Sequence, residues 1–105
     1  MGGAAFTGAS VAATAVVVAG LALAGGAAAE SHRVAGAADA AALAAADTLS
    51  GFAGGEPCDR AHRVASAASV GVTICELSGR DATIEVRGTF IGLPVIARAR
   101  AGPPR

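Results

Sequence analysis

The first 29 residues contain no Asp, Glu, Lys, Arg or His, and the first charged side chain is Glu30. Within this stretch, Val11 to Ala29 consists only of Ala, Val, Leu, Gly and one Thr. About 20 such residues are what an α-helix needs to cross the hydrocarbon core of a bilayer. The sequence therefore predicts one membrane span at about residues 11–29.

The composition of this span leaves three interpretations open. Most of its residues are Ala or Gly, and only four Val and two Leu favour insertion strongly. It is an anchor continuous with a longer helix, a signal peptide cleaved between Ala29 and Glu30, or an Ala/Gly-rich disordered tail. We take the anchor as the working prediction, because short side chains also allow helices to approach each other closely.

Residues 30–50 continue the helical pattern. They are rich in Ala, the best helix former, and contain no Pro. Their apolar side chains recur at spacings of three and four residues, which defines one narrow face of a helix. That face comprises Val34, Ala38, Ala42, Ala45 and Leu49. We therefore predict one long helix within residues 1–50, half of it in the membrane and half projecting from it.

A short second helix is predicted after a loop at residues 51–57. Gly51 is placed to end the long helix, and Pro57 suits the first turn of the next one. Residues 58–70 then carry small and apolar side chains on one face, and Gly71 is predicted to close this helix. The face comprises Cys58, Ala61, Val64, Ala65 and Ala68.

The remaining sequence alternates with a period of two, which indicates β-strands. Strands are predicted at 72–77, 82–87 and 95–101, with a turn at 78–81. Ala82, Ile84 and Val86 share one face, whereas Arg98 and Arg100 lie on the solvent side. Residues 88–94 are predicted to form a loop. The predicted fold is α+β: a long N-terminal helix, then a small domain at 58–105 in which a short helix packs on an antiparallel sheet of about three strands.

Cys58 and Cys75 are the only cysteines. An exported domain of about 50 residues has too little core to be comfortably stable, and such domains commonly use disulfides. A disulfide between the two residues is the prediction, with two free thiols or a metal site as the alternatives. A bridge closing a loop of this length stabilises by about 3 kcal/mol in the chain-entropy model.

Composition argues against several classes of function. Eight basic and eight acidic residues balance, and the chain has three Phe but no Trp or Tyr, so a nucleic-acid surface is not expected. His32 and His62 are the only imidazoles, and no nucleophile, base and orienting acid can be assembled around them. We predict no enzyme activity, no cofactor, no metal and no small-molecule substrate.

Two places are candidate partner contacts. Asp39 lies in an Ala-rich helix, where it either contacts a partner or keeps the helix soluble. Phe90, Ile91 and Leu93 lie in the predicted loop, where they either fold back on the core or form an exposed apolar patch for a neighbouring subunit.

The order of these features resembles the TadE-like minor pilins and pseudopilins, in particular the short actinobacterial members of the Tad secretion neighbourhood. The resemblance begins in Ser31–Ala46, where a basic pair precedes an Ala-rich helix with Asp39 before Ala-Ala-Ala-Leu-Ala-Ala-Ala. It continues with a Cys opening a short helix and a second Cys in the next strand. It ends in Ala99-Arg100-Ala101-Gly102-Pro103.

The resemblance implies a pilin-like subunit of a Tad (Flp-type) pilus or related secretion filament, anchored in the cell membrane by one helix. It implies contacts with other pilin-like subunits and the Tad machinery, and prepilin-peptidase processing near Gly8 and Ala9. It places the C-terminal domain outside, although Arg33 weakly favours the inside by the positive-inside rule. The alternative is a secreted, disulfide-stapled binding domain that signal peptidase releases after Ala29.

Overall fold

In the computed structural model, two helices precede a three-stranded sheet. The structure describes the backbone of residues 2–104 and the side chains of residues 8–104. The molecule measures 76 × 27 × 17 Å, because one helix of 48 residues runs through its whole length. The elements are α1 (Gly2–Leu49), α2 (Pro57–Ala67), β1 (Gly71–Ser78), β2 (Asp81–Phe90) and β3 (Leu93–Ala101). The predicted α+β class is confirmed.

Helix α1 begins at Gly2, before the predicted span, and continues without interruption to Leu49. Its end is capped as predicted, since Gly51 adopts a φ of 82°, a left-handed conformation that suits glycine. The Phe52 N–H donates to the Asp47 carbonyl at 2.9 Å, and the Gly51 N–H donates to the Thr48 carbonyl at 3.2 Å. These two bonds satisfy carbonyls that the helix end would otherwise leave unpaired.

Helix α2 begins at Pro57, as predicted, but the prediction that Gly71 closes it is wrong. Ser69 instead takes the left-handed conformation, with a φ of 59°. The Val70 N–H reaches back to the Ala65 carbonyl and the Ser69 N–H to the Ser66 carbonyl, both at 3.0 Å. The helix therefore ends at Ala67, three residues before the predicted end at 70, and Gly71 already belongs to β1.

The sheet is antiparallel in the order β1-β2-β3. Ala82, Ile84 and Val86 are fully buried on the face that carries the core, as their alternation predicts. Arg98 and Arg100 are exposed, also as predicted. They pair across the sheet with acidic residues, Arg98 with Glu85 at 3.6 Å and Arg100 with Asp81 at 2.7 Å. Both ion pairs thus lie on the outer face of the sheet, opposite the buried side chains.

Residues 88–94 do not form the predicted loop. Strand β2 continues to Phe90 and β3 begins at Leu93, which leaves Ile91 and Gly92 as a two-residue turn. Pro94 is accommodated because β3 is an edge strand and pairs on one side only. The segment is therefore the closed end of a β-hairpin and not a loop.

The core is made mainly of alanine. Nine of the thirteen buried hydrophobic residues among those described are Ala, and Val34 is the first of them along the chain. Small side chains bring α1 close to the sheet and to α2, but each buries little apolar surface. The buried set is Val34, Ala37, Ala38, Ala41, Ala42, Ala45, Ala46, Ala61, Ala65, Val70, Ala82, Ile84 and Val86.

Candidate functional site

The N-terminal half of α1 is an apolar surface that the rest of the chain leaves uncovered. Every described side chain from Gly8 to Gly25 is exposed. Helix α1 is long and apolar enough here to cross a membrane. Exposing so much apolar surface to water is unfavourable, and a bilayer or neighbouring helices would remove it from water. Its large members are Val11, Val16, Val17, Val18, Leu21 and Leu23.

The one hydroxyl inside the predicted span is satisfied by the helix itself. Thr14 Oγ1 donates to the Ser10 carbonyl at 2.9 Å. A polar group in hydrocarbon needs such an internal partner, because lipid tails offer none. The arrangement is therefore compatible with a lipid environment at this level of α1.

Both predicted processing positions lie within the continuous helix. Gly8 and Ala9 are exposed residues near its beginning, and Ala29 and Glu30 lie where the predicted span ends. No break in α1 sets either pair apart from its neighbours.

The β2–β3 hairpin packs directly on α1 through two glycines. Phe90 is half-buried, and a Cβ placed on Gly26 would lie only 3.1 Å from Phe90 Cζ. A Cβ on Gly88 would lie 3.0 Å from Val34 Cγ2 and 3.3 Å from Val70 Cγ1. A Cβ at either glycine would therefore require the neighbouring side chain to move by a few tenths of an ångström.

These contacts give the direction of the hairpin. Between Gly88 and Phe90, β2 moves from the level of Val34 on α1 to the level of Gly26. At the other end of β3, Ala101 and Gly102 line a groove together with Leu43. The hairpin thus lies along α1 with its turn towards the predicted membrane span.

A charged junction lies beside the same contacts. Arg33 and Glu30 form a two-pronged pair, with Nη2 to Oε1 at 2.6 Å and Nε to Oε2 at 3.1 Å. The hydrogen bond from Arg33 lowers the pKa of Glu30, and the bond to Glu30 raises the pKa of Arg33. Arg33 Nη1 also donates to the Ala68 carbonyl, at the end of α2 where the helix dipole favours a cation.

The disulfide joins the small domain internally. Cys58 in the first turn of α2 and Cys75 in β1 are bonded, with their Cα atoms 6.0 Å apart. The bridge is the predicted one, and it closes a sequence separation of 17 residues. It connects two elements whose shared core consists largely of alanine methyl groups.

The predicted partner residues do not form one site. Phe90 packs on α1, whereas Ile91 and Leu93 remain 68% and 67% exposed at the turn. Asp39 is exposed and lies in the groove with Leu43, far from the turn. Thirteen residues of helix separate Asp39 from Gly26, which corresponds to about 20 Å. Asp39 and the hairpin turn therefore lie at different levels along α1.

Sequence reasoning missed the Glu30–Arg33 pair and the glycine contacts. A spacing of three residues on a helix is a signal for such a pair, and it was readable from the sequence. Nothing local indicated that Arg33 also reaches Ala68, or that Gly26 and Phe90 meet, since both contacts depend on the tertiary fold. Over the described residues, no group of three His, Cys, Asp or Glu side chains could hold a metal ion.

Comparisons with protein-family models, with curated proteins and with solved structures find no match to this chain.

Proposed function

We propose that the chain is a structural subunit of a Tad (Flp-type) pilus or related secretion filament, a TadE-like pseudopilin anchored by one membrane helix. The observation that carries this proposal is the continuity of α1. Its uncovered apolar half, residues 8–29, and the half that contributes to the domain core are one uninterrupted helix. The predicted anchor therefore runs directly into the domain core, with no linker between them.

The proposed mechanism is lateral packing of helices. The uncovered half of α1 presents mostly Ala and Gly between its few larger side chains. Short side chains let neighbouring helices approach closely in lipid, where van der Waals contact is a main source of attraction. Several copies, or this subunit and other pilin-like subunits, would then pack in the membrane and move as a bundle into the filament or its base.

The disulfide supports placement of the small domain outside the cell membrane. Bridges such as Cys58–Cys75 form and persist in oxidising compartments and are rare in the reducing cytosol. Arg33 is a single positive charge near the span, and in the structure Glu30 and the Ala68 carbonyl engage it. Arg33 is therefore only a weak argument for placing the small domain on the cytoplasmic side.

Identification of the mature N-terminus is the decisive experiment. The full chain is expressed in a host that carries a prepilin peptidase and a Sec pathway, and membrane and culture fractions are analysed by mass spectrometry. We expect a chain that starts at Ala9 and stays in the membrane after a carbonate wash. A chain that starts at Glu30 and appears in the medium would contradict the anchor.

One observation favours the second candidate, a secreted binding domain released after Ala29. Every buried hydrophobic residue described lies at Val34 or beyond, so cleavage there would leave the core complete. It would, however, remove Gly26, the helix residue against which Phe90 packs. The same mass measurement separates the two candidates, because only the secreted form begins at Glu30.

Photo-crosslinking tests the assembly role itself. A benzophenone amino acid replaces Val16, which is 73% exposed in the apolar half, or Phe52, which is 85% exposed at the far end of α1. If helices pack laterally, position 16 should form adducts with a second pilin-like subunit in membranes, and position 52 should not. Adducts with lipid alone at position 16 would contradict assembly through this half.

A further inference from the structure

We propose that the turn of the β2–β3 hairpin is a second membrane contact, which inserts Ile91 and Leu93 into the lipid interface beside α1. This inference rests on the proposed anchoring of α1 and goes beyond it. It assigns to the small domain its own contact with the bilayer, and it fixes which end of that domain faces the membrane.

The height of the hairpin along α1 is the first argument. Phe90 contacts α1 at Gly26, which lies three residues inside the end of the charge-free segment. At a helical rise of 1.5 Å per residue, this contact is about 5 Å below the last apolar residue. The turn formed by Ile91 and Gly92 follows Phe90 directly. A membrane that covers the apolar segment to its end would therefore reach the turn.

The chemistry of the hairpin end is the second argument. Ten consecutive residues, from Gly88 to Ala97, carry no charge, and Arg87 and Arg98 flank them. Ile91 and Leu93 are both about two-thirds exposed at the tip. Apolar residues at the tip, with the cation Arg87 behind them and Arg98 paired with Glu85, match a bilayer interface, where acyl chains lie beneath polar headgroups.

The backbone of the turn is the third argument. Ile91 adopts a φ of 50° and Gly92 one of 75°. A two-residue turn of this kind favours Asn, Asp or Gly at its first position, and a β-branched residue is strained there. Local strain of this sort often accompanies a functional role for the side chain. Burial of the Ile91 side chain in lipid would supply that role, since the protein itself leaves it exposed.

Single tryptophans test the contact, because the chain has neither Trp nor Tyr. Three full-length variants are placed in vesicles of phosphatidylcholine and phosphatidylglycerol, with or without brominated acyl chains. Leu93→Trp reports on the turn, Leu21→Trp on the middle of the span, and Phe52→Trp on the far end of α1. Disulfide formation on a non-reducing gel verifies that each variant is folded.

We expect blue-shifted emission and loss of intensity with brominated lipid for Leu93→Trp and Leu21→Trp, and neither effect for Phe52→Trp. Adding Ile91→Asn to Leu93→Trp should weaken the quenching while retaining the fold, since Asn suits the turn. Quenching of Leu21→Trp without quenching of Leu93→Trp would overturn the hairpin contact and leave the anchor intact.

Two further outcomes are also decisive. If Leu93→Trp is blue-shifted but brominated lipid does not quench it, the turn is covered by protein, and the lipid contact is overturned. If neither Leu21→Trp nor Leu93→Trp is quenched, α1 does not enter the bilayer, and the anchor fails together with the contact that depends on it.

Discussion

The two halves of α1 have similar compositions and opposite surroundings. Residues 8–29 and residues 34–46 are both rich in Ala and both helical, yet the first stretch is almost entirely exposed and the second supplies seven of the buried core residues. Alanine content explains why both are helical. Burial is decided by what lies opposite, and the sheet and α2 cover only the second stretch. The first half is a similar surface that the described part of the chain leaves almost entirely uncovered.

The largest difference between the two halves of α1 is expected when one exposed Leu in each is replaced by Asp. Leu21 and Leu43 are both exposed, at 68% and 57%. Leu21→Asp places a carboxylate near the middle of the predicted span, where it opposes insertion by about 3 kcal/mol. Leu43→Asp places the same group in water. We expect Leu21→Asp to lose most of its membrane-bound fraction after a carbonate wash and Leu43→Asp to retain it.

Equal retention of the two Asp variants would mean that the first half of α1 does not need a bilayer. Equal loss would mean that Leu43, too, lies in an apolar environment. Either result would remove the distinction between the two halves.

Removal of the disulfide should affect only the packed half. The double variant Cys58→Ser, Cys75→Ser gives up a cross-link worth about 3 kcal/mol in the chain-entropy model. Because the core is mainly alanine, little other burial can compensate. We expect a large fall in the thermal unfolding midpoint in detergent, followed by circular dichroism, with membrane association unchanged. An unchanged unfolding midpoint would show that the packing of α1, α2 and the sheet is stable without the disulfide.

Enlarging one alanine in each half should sharpen the comparison further. Ala41 is fully buried, whereas Ala19 is exposed in the predicted span. Ala41→Leu forces extra volume between α1 and its neighbours and should destabilise the domain by about 1–3 kcal/mol. Ala19→Leu should leave the unfolding midpoint unchanged. Chemical denaturation of both variants in the same detergent measures the difference, and equal midpoints would contradict the close packing of residues 34–46.

Much of this architecture was predictable because it depends on local pattern. The alternation of Ala82, Ile84 and Val86 and the cap at Gly51 follow from short-range rules, and the structure confirms both. The segment 88–94 was not predictable in the same way. Gly88 is required by a contact with Val34, more than fifty residues away, and the turn uses Ile91, which turn preferences disfavour.

The candidate site shows the same limit. The long apolar segment and the disulfide were accessible to sequence reasoning, whereas for Ile91 and Leu93 the sequence left core packing and exposure both open. The sequence did not show that the predicted patch is divided, with Phe90 packed on α1 and its neighbours exposed. That division depends on where the hairpin meets the helix.

The smallest expected effect concerns Glu30, which lies where the two halves of α1 meet. Its pKa is lowered from 4.5 by the hydrogen bond from Arg33. A lowered folded-state pKa means that the pair stabilises the fold above the unfolded pKa and that this contribution is lost as the pH falls through the folded value. The raised pKa of Arg33 adds no change in this range, because Arg33 stays charged throughout.

Thermal unfolding of the wild type and of Glu30→Gln between about pH 7 and pH 3 isolates this contribution, because all other carboxylates are common to both. We expect the wild type to be slightly more stable at neutral pH and the difference to vanish in acid. The effect is small because the pair is exposed to solvent. Arg33 also donates to the Ala68 carbonyl. Without Glu30 to position it, Arg33 should hold this carbonyl less firmly, so we expect faster amide exchange at residues 68–70 in Glu30→Gln. Parallel pH profiles of the two proteins would show that the Glu30–Arg33 pair contributes no pH-dependent stability.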